Sequence, residues 1–164
     1  MTEYQAKLSF TLPLTEEQAA FAFRLLDACK TAILNWDGDP STLNTIYDNN
    51  ELVPADLVDH VKRIDPCSIG DPGIIVSYEE MGSLWIRHDR SANLPFLLAY
   101  LKEIMRAYED VEPRGFEWCC DCSGPHVGAF GGGAAMVSKD DSVDLSTHDL
   151  LPILDGMLAE RRAK

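Results

Sequence analysis

Three of the five cysteines lie close to a histidine in the segment Gly115–Val137. Thiolates and imidazoles are the ligands that zinc prefers in proteins, so this segment is the first candidate for a metal site. The ligands would be Cys119, Cys120, Cys122 and His126. Structural zinc sites usually take two pairs of ligands, each pair two to four residues apart on a tight turn, and the spacing here fits that arrangement poorly. A distant ligand such as Cys67, His60 or His88 would have to complete the site.

The alternation of a strand favours a different interpretation of the same cysteines. Successive side chains of a strand point to opposite faces, so Cys119 and Cys120 cannot face one metal ion together. Cys120 and Cys122 would instead share the face of Phe116 and Trp118, as small apolar core residues. We therefore expect neither a metal nor any other cofactor, and the metal site remains the alternative.

A nucleophilic site is the other chemistry that these residue types allow. Cys122 or Ser123 would be activated by His126 as the base, with Asp121 orienting the imidazole. These residues are too close along an extended chain for their side chains to converge easily. The segment also lacks the Gly-x-Ser-x-Gly turn on which many nucleophilic serines lie. The sequence therefore favours a protein that is not an enzyme.

The glycine run Gly131–Gly133 has two interpretations. Phosphate-binding loops combine glycines with a following helix and a lysine or hydroxyl side chain. Here the glycines precede Ala-Ala-Met-Val, which is typical of a strand. We therefore predict a bulge, or a place where Trp118 or a helix packs directly on the backbone.

The charge of the chain indicates the kind of partner that it would bind. The 27 acidic and 14 basic residues give a formal net charge of −13, which repels nucleic-acid phosphates and favours basic partners. Between Glu109 and Asp149 only Arg114 and Lys139 are basic. The candidate binding residues in this acidic part are Asp110, Glu112, Asp140, Asp141 and Asp144. The alternative is that the acidic residues only keep the protein soluble and bind no partner.

The first half of the chain carries clear local signals. Tyr4–Leu12 alternates with a period of two, which predicts one strand that ends at Pro13. Thr15-Glu-Glu-Gln is a capping box, followed by an apolar stripe of helical period. Residues 35–54 predict a long irregular loop, and a short helix follows that ends before Pro66.

The second half predicts two hairpin–helix units. Ile74–Tyr78 and Leu84–His88 form the first hairpin, and a helix follows from about Asn93 to Tyr108. A strand from Gly115 and another within Val127–Val137 form the second hairpin. The apolar residues after Leu150 predict a last helix, which should begin nearer Asp149 than Thr147 because Pro152 lacks an N–H.

These elements predict one α+β domain over residues 1–164. The fold would be an antiparallel sheet of about five strands, with three or four helices packed mainly on one face. The N-terminus lacks a signal-peptide pattern, and no apolar run is long enough to span a bilayer. We therefore expect a cytoplasmic protein without membrane contact or direct nucleic-acid binding, whose oligomeric state the sequence leaves open.

One combination of motifs resembles a known group of proteins. The strand GFEW, the turn CSGP and the run AFGGGAA occupy Gly115–Trp118, Cys122–Pro125 and Ala129–Ala135. They resemble a family of small acidic proteins of unknown function carried on bacterial phages, plasmids and integrative elements. The resemblance implies a setting in which such proteins bind and inhibit host defence proteins. The expected function is therefore a non-enzymatic accessory or anti-defence factor that occupies the basic surface of a host protein, as an inhibitor or nucleic-acid mimic.

Overall fold

Two antiparallel sheets and several helices make up the fold. The computed structural model describes residues 4–122 and 131–162. Its strands are β1 (Tyr4–Lys7), β2 (Ser9–Pro13), β3 (Ile74–Glu79), β4 (Ser83–His88), β5 (Arg114–Cys122), β6 (Gly131–Val137) and β7 (Ser142–Ser146). Its helices are α1 (Glu16–Asn35), α2 (Leu43–Asp48), α3 (Val58–Ile64), α4 (Pro66–Ile69), α5 (Leu94–Ala107) and α6 (Thr147–Arg162), with a 3-10 turn at Pro40–Thr42.

The α+β class is confirmed, but the prediction of a single sheet of about five strands is wrong. The first sheet has four strands in the order β1-β5-β6-β7, and the second has three in the order β2-β4-β3. The two sheets meet where the ring of Phe10 stacks on that of Phe116, with centroids 4.6 Å apart. We call the sheet that contains β5 and β6 the large sheet.

The predicted first strand is divided at Leu8 between the two sheets. Residues before Leu8 pair with β5, and residues after it pair with β4. Leu8 itself is buried, and its carbonyl accepts a hydrogen bond of 3.1 Å from the N–H of His88. The alternating pattern is the same on both sides of the break, so it predicts strand but not the change of partner.

The capping box that opens α1 is confirmed. Thr15 Oγ1 accepts from the N–H of Gln18, and Gln18 Oε1 accepts from the N–H of Thr15 at 2.8 Å. The buried face of α1 includes Leu25, Leu26 and Cys29. The helix contacts β3, α3 and α5, so it lies at the centre of the core.

The first hairpin–helix unit is also confirmed. Residues of β3 and β4 pair in register from Ile74 opposite His88 to Glu79 opposite Ser83, and Gly82 has the positive φ of 78° that the connecting turn requires. Asn93 caps α5 by accepting from the N–H of Phe96. Half of the residues of α5 are buried, which makes it the second central helix of the core.

The segment 35–54 is partly helical rather than irregular throughout. The 3-10 turn and α2 both fall within it. Ile46 and Tyr47 of α2 are buried, and Trp36 packs against the core. These apolar side chains bring the segment onto the body of the protein.

The C-terminal part differs from the prediction in two ways. Ser142–Ser146 forms the edge strand β7, where the sequence predicted no strand, and α6 begins at Thr147 with Pro152 inside it. Ser146 caps this start, since its Oγ accepts from the N–H of Asp149 while Asp149 Oδ2 accepts from Ser146 Oγ at 2.6 Å. The hydroxyl of Ser146, together with its N–H at 2.9 Å, donates to Asp149 Oδ2, and these two bonds lower the pKa of Asp149. Among the helices in the described ranges, none has the length and apolar character to cross a membrane.

Candidate functional site

The outer face of the large sheet exposes apolar side chains. On β5 and β6, Phe116, Ala135 and Val137 point into the core and are buried. The opposite parity places Met136, Val143 and Leu145 on the outer face, where Met136 lies directly opposite Val143. An open cavity of about 630 Å³ lies over these side chains, with Gly115 and Glu117 also in its lining. This face is therefore concave and apolar although no other part of the described chain covers it.

Helix α6 continues this exposed apolar character. Its apolar residues recur at the i, i+3, i+4 and i+7 positions of one helical face, namely Leu150, Ile153, Leu154 and Met157. A stripe of this kind normally packs against a core, as in α5, but here each side chain remains exposed. The helix follows β7 directly and contacts β6 and β7.

We define the C-terminal apolar surface as these two sets of residues together. It consists of Met136, Val143, Leu145, Leu150, Ile153, Leu154 and Met157, which are 41% to 59% exposed. Single exposed apolar residues are common, but a cluster of them on adjacent elements marks a site of protein or ligand interaction. The rest of the chain already has its own buried core, so this surface is not needed to complete it.

The register of the large sheet brings several of the predicted acidic residues together. Arg114, Val137 and Ser142 are aligned across β5, β6 and β7, so the start of β5 lies beside the turn between β6 and β7. Glu112 comes just before that start, and Asp140 and Asp141 lie in the turn. All three are exposed.

Asp144 and Asp110 have different positions. Asp144 lies at the middle of β7, where it is exposed opposite Ala135. The alternation of the strand places its side chain on the other face of β7 from Val143 and Leu145, at the outer edge of the sheet. Asp110 accepts a hydrogen bond of 2.9 Å from Nε2 of Gln18, so it is held near the start of α1. The carboxylates therefore lie at the end of the large sheet and along its β7 edge, around the apolar side chains of the sheet rather than among them.

The structure places only part of the proposed metal site. Cys119 is exposed, while Cys120 is on the opposite face and partly buried, as the alternation predicts. Burial, with the nearby Cys119 thiol, raises the pKa of Cys120. The side chain of Cys122, together with Ser123 and His126, lies outside the described residues. Within residues 4–122 and 131–162, no group of three or more His, Cys, Asp or Glu side chains is arranged to hold a metal ion.

The glycine run is a place of close backbone approach, which confirms one of its two predicted roles. A Cβ on Gly133 would lie 2.6 Å from Cζ2 of Trp118 and 2.3 Å from the carbonyl oxygen of Leu145. A Cβ on Gly132 would lie 2.6 Å from the carbonyl oxygen of Trp118. The three glycines are the first residues of strand β6, so they do not form a phosphate-binding loop that precedes a helix.

A buried ionic cluster, which was not predicted from the sequence, lies between α3 and α5. The side chain of Glu103 is only 1% exposed and contacts three cationic or ionisable partners. They are His60, Arg63 and Arg106. Burial alone would raise the pKa of Glu103, but the hydrogen bonds from these partners and the charge of Arg63 bring it below its ordinary value. The sequence contains one sign of this cluster: Glu103 lies in a helix that is apolar on nearly every side, where an acid needs a cationic partner.

The chain was compared with known proteins at the level of family, sequence and structure. No model of a known protein family matches it, and neither a curated protein nor a solved structure matches it significantly.

Proposed function

We propose that this protein is a non-enzymatic binding protein that engages a basic partner protein through its C-terminal apolar surface. The observation that carries the proposal is that seven apolar side chains are exposed on three elements that contact one another, β6, β7 and α6, with exposed carboxylates on β7 and at the end of the same sheet. Specific protein interfaces combine an apolar centre with a polar border in this way. The partner would insert apolar side chains into the cavity over Val143 and Leu145 and bring Lys or Arg side chains to the border.

Charge favours a different protein over a second copy of this chain as the occupant. Two copies would each bring a formal charge of −13 to the interface. The edge strand β7 is Ser-Val-Asp-Leu-Ser, with Asp144 at its centre. Symmetric antiparallel pairing of two such edges would place the two Asp144 carboxylates opposite each other, and like charges in that position are destabilising. A basic strand or helix would meet the same surface without this penalty.

The finer proposal concerns the identity of the partner. A host defence protein that binds nucleic acid would present a basic surface of the required sign, and the exposed carboxylates Glu112, Asp140, Asp141 and Asp144 would occupy it in place of phosphates. This decoy function follows from the acidic charge of the chain, while the resemblance implies only the setting of host defence. It uses the same residues as the general proposal. A partner that is basic but does not bind nucleic acid would support the general proposal and contradict the finer one.

The proposal is tested by comparative capture from a bacterial lysate. Three baits are used: the wild-type protein, the double variant Val143→Ser with Leu154→Ser, and the control Met81→Ser, whose side chain is 95% exposed on the β3–β4 turn. We expect at least one basic protein to be retained by wild type and control but lost from the double variant. Identical sets of captured proteins from all three baits, or a wild-type protein that only binds itself in sedimentation velocity, would contradict the proposal.

A further inference from the structure

A cavity with a basic lining lies against α5, in a protein that is otherwise strongly acidic. Its volume is about 340 Å³. The charged side chains in its lining are Arg63 of α3 and Lys102, Glu103 and Arg106 of α5. Positions 99, 102, 103 and 106 lie on one face of a helix, which explains why α5 contributes most of the lining. None of the residues of the C-terminal apolar surface lines this cavity, so the two sites are separate.

Glu103 fixes the two arginines without using all of their donors. Arg63 Nε donates to Glu103 Oε2 at 2.8 Å, while Arg106 Nη1 donates to Glu103 Oε1 and Arg106 Nε donates to the carbonyl oxygen of Lys139 at 2.9 Å. A guanidinium has five N–H donors, so each arginine keeps donors for another acceptor. Both side chains remain more than a third exposed, 45% for Arg63 and 38% for Arg106.

The contact with His60 leaves a further donor group of Arg63 available. His60 Nδ1 lies 2.9 Å from Glu103 Oε2 and 3.1 Å from Arg63 Nη2. A carboxylate can only accept, so Nδ1 must carry the proton in its contact with Glu103. A protonated Nδ1 cannot also accept from Arg63. The Nη2 group of Arg63 therefore keeps both of its N–H donors.

The lining has an excess of positive charge. Lys102 has no hydrogen bond or ion pair with any described residue, and its side chain is partly exposed. Three cations and one carboxylate leave two positive charges in the lining. One acid beside the lining is in the β6–β7 turn, where Asp141 Oδ1 accepts from the N–H of Ser142, a lining residue, at 2.7 Å. Asp141 is exposed, so water screens its charge.

We propose that this cavity binds the phosphate group of a small molecule. A phosphate monoester carries about −1.5 to −2 charges at pH 7 and three acceptor oxygens, which match the net charge and the free donors of the lining. Arginines bind such groups through two parallel N–H donors, and lysine binds them as a point charge. A carboxylate ligand carries only one negative charge and two acceptor oxygens, so it matches the lining less well.

The test is a calorimetric titration of the full chain with inorganic phosphate at constant ionic strength. The variant is Lys102→Ala, since Lys102 holds no other part of the described structure, and the control is Arg90→Ala, which removes one exposed positive charge away from the cavity. We expect saturable binding to wild type and control, and about tenfold weaker binding to Lys102→Ala. Acetate should bind more weakly than phosphate.

Three results would overturn the proposal. They are the absence of saturable phosphate binding to wild type, an equal dissociation constant for Lys102→Ala, and binding of acetate as tight as that of phosphate. Circular dichroism spectra of both variants check that a loss of binding does not reflect unfolding. The capture experiment on Val143 and Leu154 is independent of this titration, so failure of either proposal leaves the other intact.

Discussion

The indole ring of Trp118 lies against the backbone of Gly133, its register partner on the neighbouring strand. There is no room for a Cβ at Gly133 between this ring and the carbonyl oxygen of Leu145. Because Gly133 has no side chain, the indole ring of Trp118 can pack directly on β6, which lies between β5 and β7 in the sheet. The candidate binding surface depends on this part of the sheet.

The first prediction is that Gly133→Ala destabilises the protein by about 1–3 kcal/mol, because the added methyl group must displace the indole ring or the neighbouring strand. Gly131→Ala is the matched control, since its Cβ would meet only the rotatable hydroxyl of Thr147 at 3.3 Å. Urea unfolding of both variants measures the difference. Equal free energies of unfolding for the two variants would show that Trp118 does not constrain Gly133.

The second prediction concerns the cysteines. Burial raises the pKa of Cys29 to about 12, with smaller contributions from Cys67 and Glu103, so its thiol stays protonated at ordinary pH. Cys119 is exposed. Timed iodoacetamide labelling, followed by peptide mass spectrometry, should therefore modify Cys119 first and leave Cys29 unmodified in the native protein. Labelling of Cys29 as fast as Cys119 while the protein remains folded would contradict this order.

The third prediction concerns the ionic cluster at Glu103. The folded-state pKa of Glu103 lies below its ordinary value, so its contribution to stability is present above the unfolded-state pKa of about 4.3 and is lost as the pH falls through the lower folded-state value. Glu103→Gln should lower the free energy of unfolding by about 1–3 kcal/mol at pH 7, because the two arginines lose their charged acceptor. The loss is no larger because each arginine is partly exposed and stays partly hydrated.

Urea unfolding of wild type and Glu103→Gln from pH 7 down to pH 3 checks this linkage. The difference in the free energy of unfolding should shrink as the pH falls below about 4.3. Glu109→Gln is the control, because Glu109 is exposed just beyond α5. A difference that stays constant over this pH range would mean that the charge of Glu103 does not stabilise the fold.

The elements that could be predicted from the sequence are those fixed by neighbouring residues. The capping box at Thr15 and Gln18 specifies the start of α1 whatever the rest of the chain does. Gly82 similarly specifies the turn of the β3–β4 hairpin. The alternation in β5 predicted that Cys119 would be exposed and Cys120 would face inward.

The features that could not be predicted depend on residues far apart in the chain. The division at Leu8 follows from two different pairing partners, β5 and β4, and the local pattern contains no sign of that choice. The edge strand β7 is only five residues long and pairs on one side only. Arg63 and Glu103 are 40 positions apart and meet only because α3 packs on α5.

The fourth prediction concerns the carboxylates that border the apolar surface. The triple variant Asp140→Asn, Asp141→Asn and Asp144→Asn should slow association with a captured basic partner and leave the dissociation rate nearly unchanged, because charges at the border steer the encounter. The effect should decrease with added salt, since the Debye length falls from about 10 Å at 0.1 M to about 3 Å at 1 M.

Association rates measured by surface plasmon resonance over a salt series check this prediction. The control removes the same number of negative charges from exposed residues elsewhere, as Asp48→Asn, Glu51→Gln and Glu80→Gln. If the triple variant and its control slow association equally, only the net charge matters and the border has no special role. If neither changes the rate, the acidity serves solubility alone.

The most direct measurement of the central claim is the dissociation constant of a partner captured by the wild-type protein. Isothermal titration calorimetry would compare wild type, the double variant Val143→Ser with Leu154→Ser, and the control Met81→Ser. Each substitution replaces an exposed side chain, so all three proteins should unfold at similar temperatures. We predict at least tenfold weaker binding for the double variant and binding within twofold of wild type for the control. Equal dissociation constants for all three proteins would contradict the claim that the C-terminal apolar surface is the binding site.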